Sequence, residues 1–123
     1  MSAIRAVNVT RNVVVASALE WAGTSETRRR GLLGRTAFTE GAGLYLVPCP
    51  WVHTFGMAFP IDVAFLSREG RVLALHRGLR PGRLSRLEWR AEGTLELPEG
   101  TLATTGTAPG DVIRFEEIPA PGR

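Results

Sequence analysis

The chain opens on two stretches, 4–9 and 13–19, in which β-branched and aliphatic residues dominate, separated by Thr10, Arg11 and Asn12. Branching at Cβ suits a pleated surface and three polar residues suit a short turn, so the pattern predicts an N-terminal hairpin. Thr24 or Ser25 can then cap a short helix, with Glu26 in its first turn and 28–34 following. Gly31 and Gly34 keep that helix brief, and helical spacing directs Leu32 and Leu33 inward while Arg28, Arg29 and Arg30 stay wet. Residues 43–47 read as a strand that Pro48 and Pro50 end, because proline offers no ladder donor. The nearly all-apolar run 60–66 and the segment 71–76, joined through Ser67-Arg68-Glu69-Gly70, form the clearest hairpin. A loop over 78–87, an extended segment over 89–97, a helical turn within 98–106 and an alternating strand over 112–115 complete the pattern. Roughly five to eight short strands with one or two short helices predict a mainly β fold, a compact, closed or nearly closed β-barrel-like domain.

Length agrees with one domain over 1–123, since a chain of this size buries about two-thirds of the surface it exposes when unfolded. Hydrophobic residues at 44% and charged residues at 22% place it among globular chains and away from disordered or fibrous ones. The longest apolar candidate, 13–22, is broken by Ser17 and Glu20, so no membrane span is expected. The same stretch reads as a strand rather than a leader, and a cytoplasmic location is the expectation. Cys49 is the single cysteine, which excludes an internal disulfide and any multi-cysteine metal site. All 15 basic residues are arginine, so a Schiff-base lysine, a phosphate-loop lysine and a lysine general base are excluded as well.

An ordered set of motifs runs from about residue 20 to 118. It comprises Arg30-Gly31-Leu32-Leu33-Gly34-Arg35, Gly43-Leu44-Tyr45-Leu46, Cys49 with His53-Thr54-Phe55-Gly56-Met57, and Phe59-Pro60-Ile61-Asp62-Val63-Ala64-Phe65. Leu95-Glu96-Leu97-Pro98-Glu99-Gly100-Thr101 and Gly110-Asp111-Val112 follow. In this order the set resembles the bacterial and archaeal family called domain of unknown function 192. The resemblance implies a compact, mostly β domain and carries no reaction, substrate or cofactor, since fold and function are separate matters. The His-Thr-Phe-Gly-Met segment looks like one branch of that family, other members having a Phe-Trp-Met-Lys-Asn type segment there. A chemistry that required His53 could not belong to those members.

Candidate chemistry gathers on the loop 49–62. Asp62 starts a greasy segment and must be satisfied there, by backbone amides, Thr54, His53 or an arginine such as Arg35. The plainer reading makes Asp62 a pin for the loop. The catalytic reading makes His53 a general acid or base oriented by Asp62, with Cys49 or Thr54 as nucleophile. Cys49, His53 and Met57, at spacings of four, also suggest a soft copper site, although blue-copper centres need a second histidine and only His76 remains. Trp51, Phe55, Met57 and Phe59 can line a cleft over His53, Thr54 and Asp62, or pack as core.

Charge adds a second feature. Between residues 68 and 90 there are seven arginines against Glu69 and Glu88, a net of +5. Arg77, Arg80, Arg83 and Arg86 recur at every third residue and would share one edge of a polyproline II segment, fit for an acidic partner or phosphates. A merely solvated loop is the plainer alternative. Nucleic acid is a weaker candidate, because Trp21, Trp51 and Trp89 are scattered rather than interleaved with the arginines. The leading expectation is a non-enzymatic ligand- or partner-binding accessory protein with no cofactor. Its cleft comprises Arg35, Trp51, His53, Thr54, Met57 and Asp62, and the arginine loop is an auxiliary anionic contact. A small hydrolase-like enzyme using His53 and Asp62 is the first alternative, and a copper protein using Cys49, His53 and Met57 the second.

Overall fold

Val13, Val14 and Val15 lead a strand whose partner is the N-terminal apolar run, so the chain begins as the hairpin its pattern predicts. A computed structural model describes residues 2–119; residue 1 and residues 120–123 of the single domain expected over 1–123 lie outside the described residues. The elements are β1 (Ser2–Asn8), β2 (Val13–Ala22), α1 (Ser25–Arg30), β3 (Ala42–Leu46), β4 (Ile61–Leu66), β5 (Val72–Leu79), β6 (Gly93–Pro98), α2 (Thr101–Thr105) and β7 (Ile113–Pro119).

Thr24 caps α1 by a reciprocal pair of bonds, its hydroxyl accepting from the Thr27 N–H and the Thr27 hydroxyl accepting from the Thr24 N–H. Threonine here does the work that Glu or Gln does in the usual capping box. The helix ends at Arg30, earlier than expected, because Gly31 takes a positive φ of 47° and caps it. Leu32 and Leu33 therefore lie beyond the helix: Leu32 is buried as expected, but Leu33 is 40% exposed.

The strands form one mixed sheet in the order β5-β4-β6-β3-β2-β1-β7. Among the described strands only β2 and β3 pair in parallel, and α1 lies in the crossover that parallel pairing requires. Apolar side chains cover both faces of the central strands. Tyr45, Ala64, Leu66, Leu95 and Leu97 pack on one face with Leu19 and with Leu102 of α2. Leu44, Leu46, Val63 and Phe65 pack on the other with Leu32, Val52 and Met57. Burial on both sides explains why β3 and β4 read as nearly unbroken apolar runs.

The seven-stranded sheet is not closed, so the expected closed or nearly closed barrel is met only loosely. Among the described residues its two ends touch at the Arg71–Val112 bridge and the bonds beside it, where the Ile113 N–H donates to the Gly70 carbonyl. Gly70, at a φ of 88°, makes the turn that brings this carbonyl in. Among the described residues, no helix is long and apolar enough to cross a membrane.

Candidate ligand-binding cleft

Pro48 and Pro50 break β3 from the ladder, and the chain then crosses the second apolar face of the sheet as an irregular segment, 47–60. Arg28 ties α1 to this segment, one guanidinium nitrogen donating to the carbonyls of Gly23 and Val47. Between α1 with its following turn and the segment 46–57 lies a cleft of about 280 Å³. Leu32, Leu46, Val52 and Met57 contribute apolar wall, Arg28, Arg29 and Arg30 line it from α1, and Trp51 and His53 line it from the segment.

Glu96 reaches this cleft from β6. In the sheet it sits between Leu44 on β3 and Val63 on β4, both of which pack on the face that the cleft overlies. Its side chain is buried and its Oε1 has no hydrogen-bond partner among the described residues. Burial raises the carboxyl pKa to about 8, against a partial opposing pull from the charge of Arg35. At neutral pH this acid is mainly uncharged, which is how a carboxyl survives among hydrocarbon without a cation in contact.

Cys49 also lines the cleft. Its S–H donates to the Trp51 carbonyl, and its own carbonyl accepts from the Thr94 hydroxyl. Burial pushes the thiol above its ordinary pKa, with the bonds from Thr94 and to Trp51 opposing, so the thiolate a nucleophile or soft metal ligand requires is disfavoured. His53 is exposed, its ring 5.2 Å from Phe55 and 6.1 Å from Trp51. Among the described residues, no three His, Cys, Asp or Glu side chains gather that could hold a metal ion.

The other sequence-predicted residues are placed elsewhere. Asp62 is buried in β4 and accepts from the backbone N–H groups of Gly78, Gly100 and Leu102, at 2.9, 3.1 and 2.9 Å. None of its bonds goes to His53, so the expected pair of imidazole and carboxylate is not assembled; the amides of β5 and of the turn into α2 reach Asp62 first. Arg35 is held by Glu20 in a two-pronged pair at 2.6 and 2.9 Å, outside the cleft. Thr54 is buried and joins two loops: its hydroxyl donates to the Arg80 carbonyl and accepts from the Arg83 N–H. Of the expected set, the cleft thus keeps Trp51, His53 and Met57 and lacks Arg35, Thr54 and Asp62.

Arg77 lies on β5, and Arg80, Arg83 and Arg86 follow on the next loop, all exposed and without an ion pair among the described residues. Sequence reasoning missed Glu96. Alternation in Leu95-Glu96-Leu97 gives no sign of burial; only the place of β6 between β3 and β4, covered on both faces, does.

Known proteins share this architecture. The model of the domain of unknown function 192 family, described as "Uncharacterized ACR", matches residues 6–115. The chain belongs to that family. A search of curated proteins finds no match. A crystal structure of a protein of unknown function from Novosphingobium aromaticivorans is similar, with a TM-score of 0.78 and 22% identity, covering 91% of this chain and 83% of that one. A crystal structure of a putative transcription regulator from Sinorhizobium meliloti is similar too, with a TM-score of 0.77 and 21% identity over 93% of this chain and 92% of the other. At such identities the likeness is one of fold. The chain is thus a member of an uncharacterised family, and its strand arrangement recurs in that company.

Proposed function

We propose that the protein is a non-enzymatic binding domain whose site is the cleft between α1 and the segment 46–57. One observation carries this reading: Glu96, buried at the cleft, has a carboxyl oxygen with no hydrogen-bond partner among the described residues. Buried polar groups are almost always satisfied, and one that is not, beside a hollow, is free to bond a polar atom that enters the hollow. Apolar walls with few convergent polar groups are the usual composition of small-ligand sites.

The hydrolase alternative has less support. Among the described residues His53 has no carboxylate bonded to orient it, Asp62 is engaged by three amides, and burial pushes the Cys49 thiol pKa up. Arg77, Arg80, Arg83 and Arg86 keep their place in the proposal as a separate contact for an anionic partner. A set of chemically diverse fragments, screened by protein-observed NMR, tests the reading. Binders should shift the Met57 methyl and Trp51 indole signals together, and Glu96→Leu should remove the polar binders while retaining apolar ones. Fragments that bind only elsewhere, or none at all, would refute it.

A further inference from the structure

The lining of the cleft also speaks to the class of its ligand, an inference that rests on the binding reading just given. Charge comes first. Arg28, Arg29 and Arg30 line the cleft, Glu96 is its sole acidic lining residue among those described, and none of the three arginines has an ion pair among the described residues. Arg28 spends one nitrogen on two carbonyls, whereas Arg29 and Arg30 are exposed. Unpaired guanidiniums gathered at one cleft favour an anion, and their planar fork suits a carboxylate in particular.

The opposite requirement holds beside Glu96. A second buried charge there would be costly, and a protonated carboxyl at neutral pH has an O–H to donate and a carbonyl oxygen to accept with. A ligand hydroxyl or carbonyl satisfies both. Between the two poles the walls are Leu32, Leu46, Val52 and Met57, so the middle of the ligand is apolar. A volume of about 280 Å³ lies at the lower edge of the range for small-molecule sites and limits the occupant to a compact molecule.

We propose that the cleft binds a small organic acid, its anionic group held by Arg29 and Arg30, its apolar body against Leu46 and Met57, and its hydroxyl or carbonyl bonded to Glu96. The probes are 4-hydroxyphenylacetate, phenylacetate and tyramine, which vary the acid and the hydroxyl one at a time on the same ring. Binding is read from the Met57 methyl and Trp51 indole signals on the full chain.

The hydroxy acid should bind tightest, and tyramine, with an ammonium where the carboxylate was, about tenfold or more weaker. Replacing both Arg29 and Arg30 by alanine should weaken both acids roughly fivefold while the exposed positions leave the fold intact. Glu96→Gln, which still donates and accepts, should keep the preference for the hydroxyl, and Glu96→Leu should erase it. Tyramine binding as tightly as the acids, or acids indifferent to the loss of Arg29 and Arg30, would overturn the ligand class and leave the cleft standing as a site. The ligand class falls in the same way if none of the three probes binds while other fragments occupy the cleft; if nothing binds there, both readings fall.

Discussion

Asp62, Asp111 and Glu96 are three buried acids that meet the cost of desolvation in three ways. Asp62 takes three backbone N–H bonds. At Asp111, burial pushes the pKa up, but bonds from Asn8, Arg11 and the Ala108 N–H outweigh it and hold the carboxyl below the ordinary aspartate range. Glu96 has no such bond at its Oε1 among the described residues, and burial, opposed only in part by the charge of Arg35, raises its pKa to about 8. Removing the acceptor at Asp62 strands three amides, so Asp62→Ala should cost about 3 kcal/mol or more in urea denaturation, while His53→Ala, at an exposed position, should change stability by less than about 0.5 kcal/mol. The Glu96 effect has a definite sign. Its folded pKa, about 8, lies above the ordinary glutamate value of 4.5, so the folded state holds the extra proton between them. The associated stability is full below the lower value and is lost as pH rises through the upper one. Unfolding free energy should fall by something on the order of 3 to 5 kcal/mol across that window in the native chain and stay nearly level in Glu96→Gln. Asp111, being depressed, loses its contribution only as pH falls below the ordinary aspartate value, so the two effects occupy separate ranges.

At the scale of elements, the hairpins, both short helices and the order of strands along the chain were legible because each was announced locally: branched residues at 13–15, a Thr cap, Gly70 in its turn. What local pattern could not supply was the partner of each loop. The segment 78–87 has no period of its own, and it acquires a conformation from across the fold. Thr54 donates its N–H to the Arg83 carbonyl at 2.8 Å and accepts at its own carbonyl from the Gly82 N–H at 2.9 Å, in addition to its hydroxyl bonds. Ser85 repeats the motif, its hydroxyl accepting from the Val52 N–H at 2.8 Å. Thr54→Val preserves the shape and removes the hydroxyl bonds alone. It should destabilise by about 1–3 kcal/mol, and hydrogen exchange at the Arg83 amide should speed up more than at any amide of β4. Equal acceleration throughout would mean that Thr54 serves the whole core and not this junction.

For the whole molecule, an open sheet buried on both faces explains which part of the site was hidden. Alternation along β6 assigns Leu95 and Leu97 to one face and leaves Glu96 on the other, a pattern that in a two-layer protein means solvent. Here the segment 47–60 and Leu32, in the turn after α1, pack on that second face, so the acid is enclosed, and only knowledge of the strand order in the sheet reveals it. His53, Trp51 and Met57 were legible as residues of one loop for the opposite reason: along that loop, neighbours in sequence are neighbours in space. Asp62 was legible as a pinned carboxylate, though its partners come from separate stretches of chain. The central claim, that the cleft beside Glu96 is the functional site, is tested most directly by crystals soaked with a diverse fragment set. The account predicts fragment density in the cleft with a polar atom about 3 Å or less from a Glu96 carboxyl oxygen. Crystals whose fragments settle on other surfaces, with no polar atom ever reaching Glu96, would contradict it.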